Sequence, residues 1–491
     1  MEMAAPSLQR ERLVLACMCA CTALVVGFVA AINLAVPKLA ASALRPSSAD
    51  LLWIVDAYVI VFACLVIPCG AVGDRLGRKG ALLAGVGMLA GGAAISALAP
   101  GVTIMLGGRA LSGLGAALVL PNCVAVLIHA TAPQRRTAAL ATWAAASGIG
   151  GVLGNVGGGA LLAVGSWQLL FWAVAGLAVV CATWALFAVP RMARHQRSLD
   201  LGGAVVFVGM IVALLAGIIE GPEQGWDSPI VIGTFALSVI LGTIWAVVEL
   251  RSREPMLDPR LFLDLTLSSA SLGMLVAFFG NFGLFYVNAS LLQYGRGFSV
   301  LGAGLGILPL TLPLVFGTRY VPGLVKRFGM PATLSVAFLA TAIGLFGLSL
   351  SSGAPYAVYA IFLVVVGIGI MLAGPCLTAE IAQALPPERA GIAGGLQSAT
   401  RELGSALGVA VIGTVLAAGF ADRLPALGAT GPAPHTVAQA LAMAMAPARH
   451  DEIVHAFVAS ADTALQVASV ITLLAGIVVV VGAAHATRGR R

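Results

Sequence analysis

Four ionisable side chains stand where a long apolar sequence should not hold them: Asp56, Arg109, Arg401 and Glu402. Each lies inside a stretch of about 20 or more largely apolar residues, enough to cross a bilayer core as a helix. A charge at that depth is costly, so each is a functional residue by default. Asp56 and Arg109 both lie about five residues into their stretches, at a common depth of roughly 7–8 Å. They can therefore face each other, either as a static ion pair that fixes helix packing or as a protonation switch. In a switch, desolvation and a neighbouring cation pull a carboxyl group in opposite directions. Glu402 lies near mid-membrane and reads equally as a proton site or as a polar tie between helices. Arg401 points about 100° away around the same helix, so the two are not expected to neutralise each other by facing.

Other chemistries lack their residues. None of the three lysines completes a GK[ST] phosphate loop, which excludes ATP-driven transport by this chain. His129, His195, His435, His450, His455 and His485 are scattered at run ends and in loops. The eight cysteines fall inside apolar runs with no CxxC pair and read as small buried hydrophobes. No metal, cofactor or catalytic constellation is expected, and no nucleophile–base pair supports a membrane enzyme.

The elements that must position these charges are membrane helices. Of 491 residues, 60% are hydrophobic and only 10% charged, against about 25% charged in soluble domains. Apolar runs recur near 13–36, 51–72, 81–99, 104–128, 137–163, 168–189, 201–219, 229–248, 268–292, 300–318, 331–350, 355–379, 392–419 and 464–484. They are continuous rather than alternating, which excludes a β-barrel. The first follows Arg10 and Arg12 and is expected to be a retained span. The fold class expected is an all-α integral membrane protein of fourteen helices.

Between the second and third runs lies Gly70-Ala71-Val72-Gly73-Asp74-Arg75-Leu76-Gly77-Arg78-Lys79-Gly80, a short loop with three basic residues. Placing it in the cytoplasm puts both termini inside and leaves nineteen Lys and Arg in inner segments, five in outer ones and three in spans. Such a bias under strict alternation supports fourteen spans. It also assigns the net charge of +7 to solvated positive-inside loops rather than to nucleic acid. The loop of about 420–462 is expected outside, with a short surface helix over Pro434–Met445.

Gly323–Gly329 is a worn echo of the Gly70–Gly80 loop, with Lys326 where Asp74 would stand. If they correspond, runs 1–6 and 9–14 are equivalent halves and runs 7 and 8 an inserted pair. The division expected is 1–190, 191–265 and 266–491. The fifth run holds Gly148, Gly150, Gly151, Gly154, Gly157, Gly158 and Gly159 within twelve residues. Several are four apart and admit close helix approach; their density suggests a moving seam. Asn33, Trp53, Tyr58, Asn122, Trp143, Asn281, Tyr286, Asn288 and Gln397 are the polar candidates for lining a cavity, each alternatively an interhelical tie. Arg319, near the end of its run, can snorkel.

These motifs together resemble the major facilitator superfamily, and within it the fourteen-helix drug:proton antiporters. Gly70, Gly73, Asp74, Arg75, Gly77 and Arg78 match the superfamily's loop between helices 2 and 3. Leu106–Ala117, with Arg109, Gly113 and Gly115, is similar to the helix 4 motif implicated in proton transfer. Gly148–Leu161, with Gly150, Gly154, Asn155 and Gly158, is similar to the helix 5 antiporter motif. Trp53, Asp56 and Tyr58 resemble the start of helix 2, Asn33–Pro37 the end of helix 1, and Arg401–Gly404 with Gly408–Ala410 helix 13. Three departures stand out: Phe28 where relatives often carry an Asp, Asn155 in place of a proline, and Gln168-Leu169 after Ser166-Trp167. The first leaves Asp56 and Glu402 as the principal embedded acids, adds Phe28 to the cavity candidates and weakens the case for dicationic substrates.

The resemblance implies two six-helix halves rocking around a central cavity in the bacterial cytoplasmic membrane. It implies proton-coupled efflux of amphipathic or hydrophobic drugs, including lipophilic cations, by a monomer with no cofactor beyond the proton gradient. Asp56, Arg109 and Glu402 would carry the coupling, and Asp74 with Arg78 would latch the halves. The alternative is a dedicated exporter of one natural product. A passive membrane scaffold would do better with apolar residues at the embedded positions.

Overall fold

A computed structural model of the chain describes residues 8–132, 135–190, 192, 201–252, 255, 258–384, 390–424, 437–443 and 447–489. Among the described residues, fourteen segments are long and apolar enough to cross a membrane. The first nine are α1 (Leu8–Ala40), α2 (Ser48–Leu76), α3 (Arg78–Ala97), α4 (Val102–Ala130), α5 (Arg136–Val164), α6 (Trp167–Ala188), α7 (Leu201–Gln224), α8 (Pro229–Arg251) and α9 (Leu265–Ser290). The tenth is broken into α10 (Val300–Leu305), α11 (Leu308–Gly317) and α12 (Val321–Phe328), and α13 (Met330–Leu350), α14 (Tyr356–Ala384) and α15 (Ala390–Arg423) follow. A short α16 (Val437–Met443) precedes the long α17 (Pro447–Gly489).

Two departures from the expected runs have local causes. The tenth run was expected to be one helix over 300–318. Pro309, Pro313 and Pro322 each lack a backbone donor, and the segment proceeds as short helices to Phe328. The long loop expected over 420–462 is shorter, because its Ala-rich flanks extend α15 to Arg423 and begin α17 at Pro447. The surface helix expected over Pro434–Met445 is helical over Val437–Met443, and its two ends lie outside the described residues.

Helices α1–α6 pack chiefly on one another, and α9, α11–α15 and α17 form a second such group, joined to the first where α15 lies along α2 and α10 against α5. The pair α7 and α8 pack together, and α7 also touches both α2 and α15, lying across the meeting of the two groups. The end of the bundle that carries the Gly70–Gly80 loop, with Arg75, Arg78 and Lys79, is its basic end. The loop turns at Gly77, whose φ of 102° suits a residue without a β-carbon. Gly77 closes α2 through its N–H to Gly73 O and opens α3 by accepting from Ala81 N. Gly329, with φ of 84°, makes the same two bonds between α12 and α13, to Val325 O and from Thr333 N.

Close packing inside the first group is built by small residues. An added carbon on Gly150 would fall 2.7 Å from Ala23 Cα, on Gly154 2.2 Å from Gly27 O, and on Gly158 2.7 Å from Ala31 Cβ. Two four-residue stripes, on α1 and α5, therefore meet backbone to backbone. Lysines secure helix ends. Lys38 donates to Leu162 O and Gly165 O at the end of α5, and Lys79 donates to Leu186 O and Val189 O at the end of α6. A cation over such unsatisfied carbonyls also complements the helix dipole.

Candidate functional site

Arg109 enters from α4 and is fully buried. Its Nε donates to Ile54 O at 2.8 Å and its Nη2 to Val55 O at 3.2 Å, both on α2. Phe28 and Tyr58 flank the guanidinium, each ring centroid 4.8 Å away. Phe28 in turn meets Tyr58 and Phe171 edge to face at 5.6 Å. Gly113, one turn beyond Arg109 on α4, leaves room for this approach, since an added carbon there would fall 2.3 Å from Tyr58 O. The cation is held by carbonyls and π faces.

Asp56 is also fully buried, but no ion pair joins it to Arg109. Neither carboxyl oxygen has a hydrogen-bond partner. The contact expected from their common depth is replaced by the two α2 carbonyls, which reach the guanidinium first. Asp56 stays within electrostatic reach of Arg109 and of Tyr286 on α9. One turn earlier on α2, Leu52 packs against Gly413 of α15, where an added carbon would fall 2.1 Å from Leu52 Cδ2 and 3.1 Å from Tyr286 Cε1. Asp56 therefore lies at the seam between the two helix groups.

Glu402 is buried on α15, and Arg401 folds back onto it. Arg401 Nε donates to Glu402 Oε1 at 2.8 Å, and Nη2 stands 2.6 Å from the same oxygen. This corrects the expectation that the two would not neutralise each other. The Cα directions diverge, but the four-bond arginine side chain has the reach to close the angle. Tyr58 is within electrostatic reach of both Arg109 and Glu402.

The cavity candidates divide. Phe28 and Tyr58 are buried beneath Arg109, with Tyr58 Oη donating to Val25 O. Asn33 bonds carbonyls of its own helix. Trp53 reaches α7, where its Nε1 donates to Glu220 Oε1 at 3.2 Å. Asn122 lies against the Gly70–Gly80 loop, accepting from Arg78 Nη1, which also donates to Gly70 O. An added carbon on Gly73 would fall 1.9 Å from Asn122 Oδ1. Trp143 donates to Thr22 and Gln397 to Thr378, and both stay half-buried. Asn281 and Tyr286 are buried, and Asn288 accepts from Tyr359 Oη at 2.7 Å. The side chain of Asp74 lies outside the described residues, and Arg75 is exposed.

Asn155 donates to Gly151 O, and its own carbonyl meets Gly304 of α10, where an added carbon would fall 2.5 Å away. Gly159 similarly faces Val300 O at 3.1 Å. These contacts, with Leu52–Gly413, join the groups toward the end opposite the basic one. Sequence reasoning missed Gly304, Gly413 and Glu220, and also the partly exposed row Phe278, Phe282 and Phe285 on α9. The signal for that row was present in its helical spacing of four and three.

Fourteen apolar helices in two packed groups, with unpaired polar groups at their seam, define a membrane transporter. Residues 18–409 match the Major Facilitator Superfamily, and the chain belongs to that family. It is 30% identical over 386 residues to the Tetracenomycin C resistance and export protein of Streptomyces glaucescens, covering 78% of this chain and 72% of that one. It is 31% identical over 412 residues to a cephamycin export protein of Amycolatopsis lactamdurans, covering 82% and 84%. Among solved structures it resembles an inward-facing, unoccupied bacterial homologue of the human lysosomal transporter Spinster. The TM-score is 0.71 at 17% identity, over 97% of this chain and 98% of that one.

Proposed function

We propose that the chain exports amphipathic, largely hydrophobic small molecules across the bacterial cytoplasmic membrane in exchange for protons, by alternating access. The observation that carries this reading is the sealed position of Asp56. It is buried at the seam with both oxygens unpartnered, beside the contact of Leu52 with Gly413 and Tyr286. A carboxyl group enclosed this way trades its proton only when that seam parts. The relatives named as resistance or export proteins support the direction of transport.

The basic end is assigned to the cytoplasm, with both termini there. The packing groups support a division into 1–190, an inserted pair over 191–265, and 266–491, which rock as rigid bodies in a monomer. Closure opposite the basic end then corresponds to access from inside. Cargo enters from the cytoplasm, the groups part on the outer side, and Asp56 takes up a proton there. Release of that proton inside resets the site, with Arg109 holding the local field and Glu402 tied to Arg401. The Gly70–Gly80 loop, through Arg78, fixes the inner ends of α2 and α4.

Proteoliposomes with an imposed pH gradient test the coupling: substrate accumulates only with the gradient, and accumulation independent of it overturns the reading. Asp56→Asn should retain binding and lose concentrative transport. A second reading is a dedicated exporter of one natural product, since relatives are named for single antibiotics. A resistance profile across unrelated compounds separates the two.

A further inference from the structure

Around α9, most faces are taken by its own group. An added carbon on Gly404 or Gly408 of α15 would fall 2.2 Å from Leu275 O or 2.3 Å from Phe279 O, and Gly273 meets Leu377 of α14 and Val479 of α17. The remaining face carries Phe278, Phe282 and Phe285, all half-buried. Their spacing keeps them in one row. The rings touch in sequence, Phe278 with Phe282 at 6.1 Å and 25°, then Phe282 with Phe285 at 5.7 Å and 67°. The Arg401 guanidinium ends the row, 5.8 Å from the Phe278 centroid.

The charge pair at that end is unequally exposed. The Arg401 side chain is 24% accessible and that of Glu402 only 5%. Both donors that Arg401 spends on Glu402 go to one oxygen, and a guanidinium has five N–H groups in all. A molecule lying along the row therefore meets an open donor fork, with the carboxylate turned behind it. A lipophilic cation placed there would face the guanidinium before it reached Glu402.

We propose that the row and Arg401 form the cargo subsite, and that it takes planar aromatic molecules with an accepting or anionic edge in preference to lipophilic cations. That edge is a carboxylate, a phenolate or a conjugated carbonyl. The proposal rests on the export reading and narrows its substrate class from hydrophobic or cationic compounds to this one.

Fluorescein and tetramethylrhodamine methyl ester test it, because they share a xanthene skeleton and carry opposite charge. Binding to the purified full chain is measured by fluorescence anisotropy, separately from transport into proteoliposomes. Fluorescein should bind at least about tenfold more tightly, the range of a charge-assisted hydrogen bond. Arg401→Gln leaves Glu402 without its partner and can fail to fold, so the double variant Arg401→Gln/Glu402→Gln removes both charges together. In that variant the two dyes should bind within about twofold of each other, and Phe278→Leu should weaken both. Tighter binding of the rhodamine ester, or an unchanged preference in the folded double variant, overturns the subsite. Preferred binding of fluorescein with no transport of either dye overturns the export reading instead.

Discussion

Gly304→Ala tests whether the α5–α10 contact is what closes the two groups. The added carbon would fall 2.5 Å from the Asn155 carbonyl oxygen, 3.3 Å from its carbon and 3.4 Å from Leu34 Cδ1. The nearest obstacle is backbone, so no rotamer change relieves it, and α10 must withdraw by about 0.9 Å to reach ordinary contact. Overpacking of this kind costs about 1–3 kcal/mol. The cost falls only on the state in which α5 and α10 touch, so it biases the conformational equilibrium by roughly 5- to 150-fold. Ser290→Cys reports the change. Ser290 is 7% exposed and lines the cleft beside Tyr286, Tyr294 and Phe420 at the closed end. Seven of the eight native cysteines are buried and Cys19 is partly so; the protein without Ser290→Cys supplies the background. Labelling by a bulky maleimide should accelerate at least about fivefold with Gly304→Ala. It should not change with Gly91→Ala, where an added carbon meets nothing within 4 Å. An unaltered rate in a folded Gly304→Ala protein would refute the assignment of this contact as the closure.

Gly73→Ala should slow transport and lower the thermal midpoint by driving its new carbon into Asn122, at about 1–3 kcal/mol; adding Asn122→Ala should restore both. Gly154→Ala collides with the Gly27 carbonyl and should destabilise the α1–α5 pair by about 1–3 kcal/mol. Gly157→Ala, which meets nothing within 4 Å, should leave thermal unfolding unchanged or raised. Lys38→Met frees two carbonyls at the end of α5 and should cost about 1–2 kcal/mol in the same assay.

The number of helices and the glycine loop were legible in the sequence because length and hydropathy alone determine what can span a bilayer. The close approach of α1 and α5 was legible for a similar reason, since Gly150, Gly154 and Gly158 can serve only a neighbour that comes near. Side-chain partners were not legible. Asp56 and Arg109 share a depth, yet carbonyls of Ile54 and Val55 take the guanidinium, a competition that depends on how α2 is rotated. Arg401 and Glu402 diverge at their Cα atoms, yet pair through side-chain flexibility. Asn122 reads from the sequence as either a cavity residue or an interhelical tie, because polarity within a span says nothing about direction; its partners Gly73 and Arg78 come from a loop whose position only the folded bundle sets.

The seam joining the two groups is held by packing rather than by the ion pairs. Among the described residues the ion pairs Glu11–Arg135, Arg401–Glu402 and Arg449–Glu452 each stay within one group. What crosses is uncharged packing: α15 lies along α2 and α10 against α5, with Gly304 against Asn155, Gly159 against Val300, Gly413 against Leu52, and single bonds from Tyr294 to Pro37 O and from Gln439 to Pro46 O. When the seam parts to admit a proton these faces meet water, so closure gains from apolar burial as well as from dispersion. None of these ion pairs has to break for the seam to part. Moving a two-state equilibrium from 1:99 to 99:1 needs about 5.5 kcal/mol of differential affinity. In the proposed cycle, cargo at the Arg401 end of the phenylalanine row and a proton at Asp56 together have to supply a differential of that order between the two arrangements.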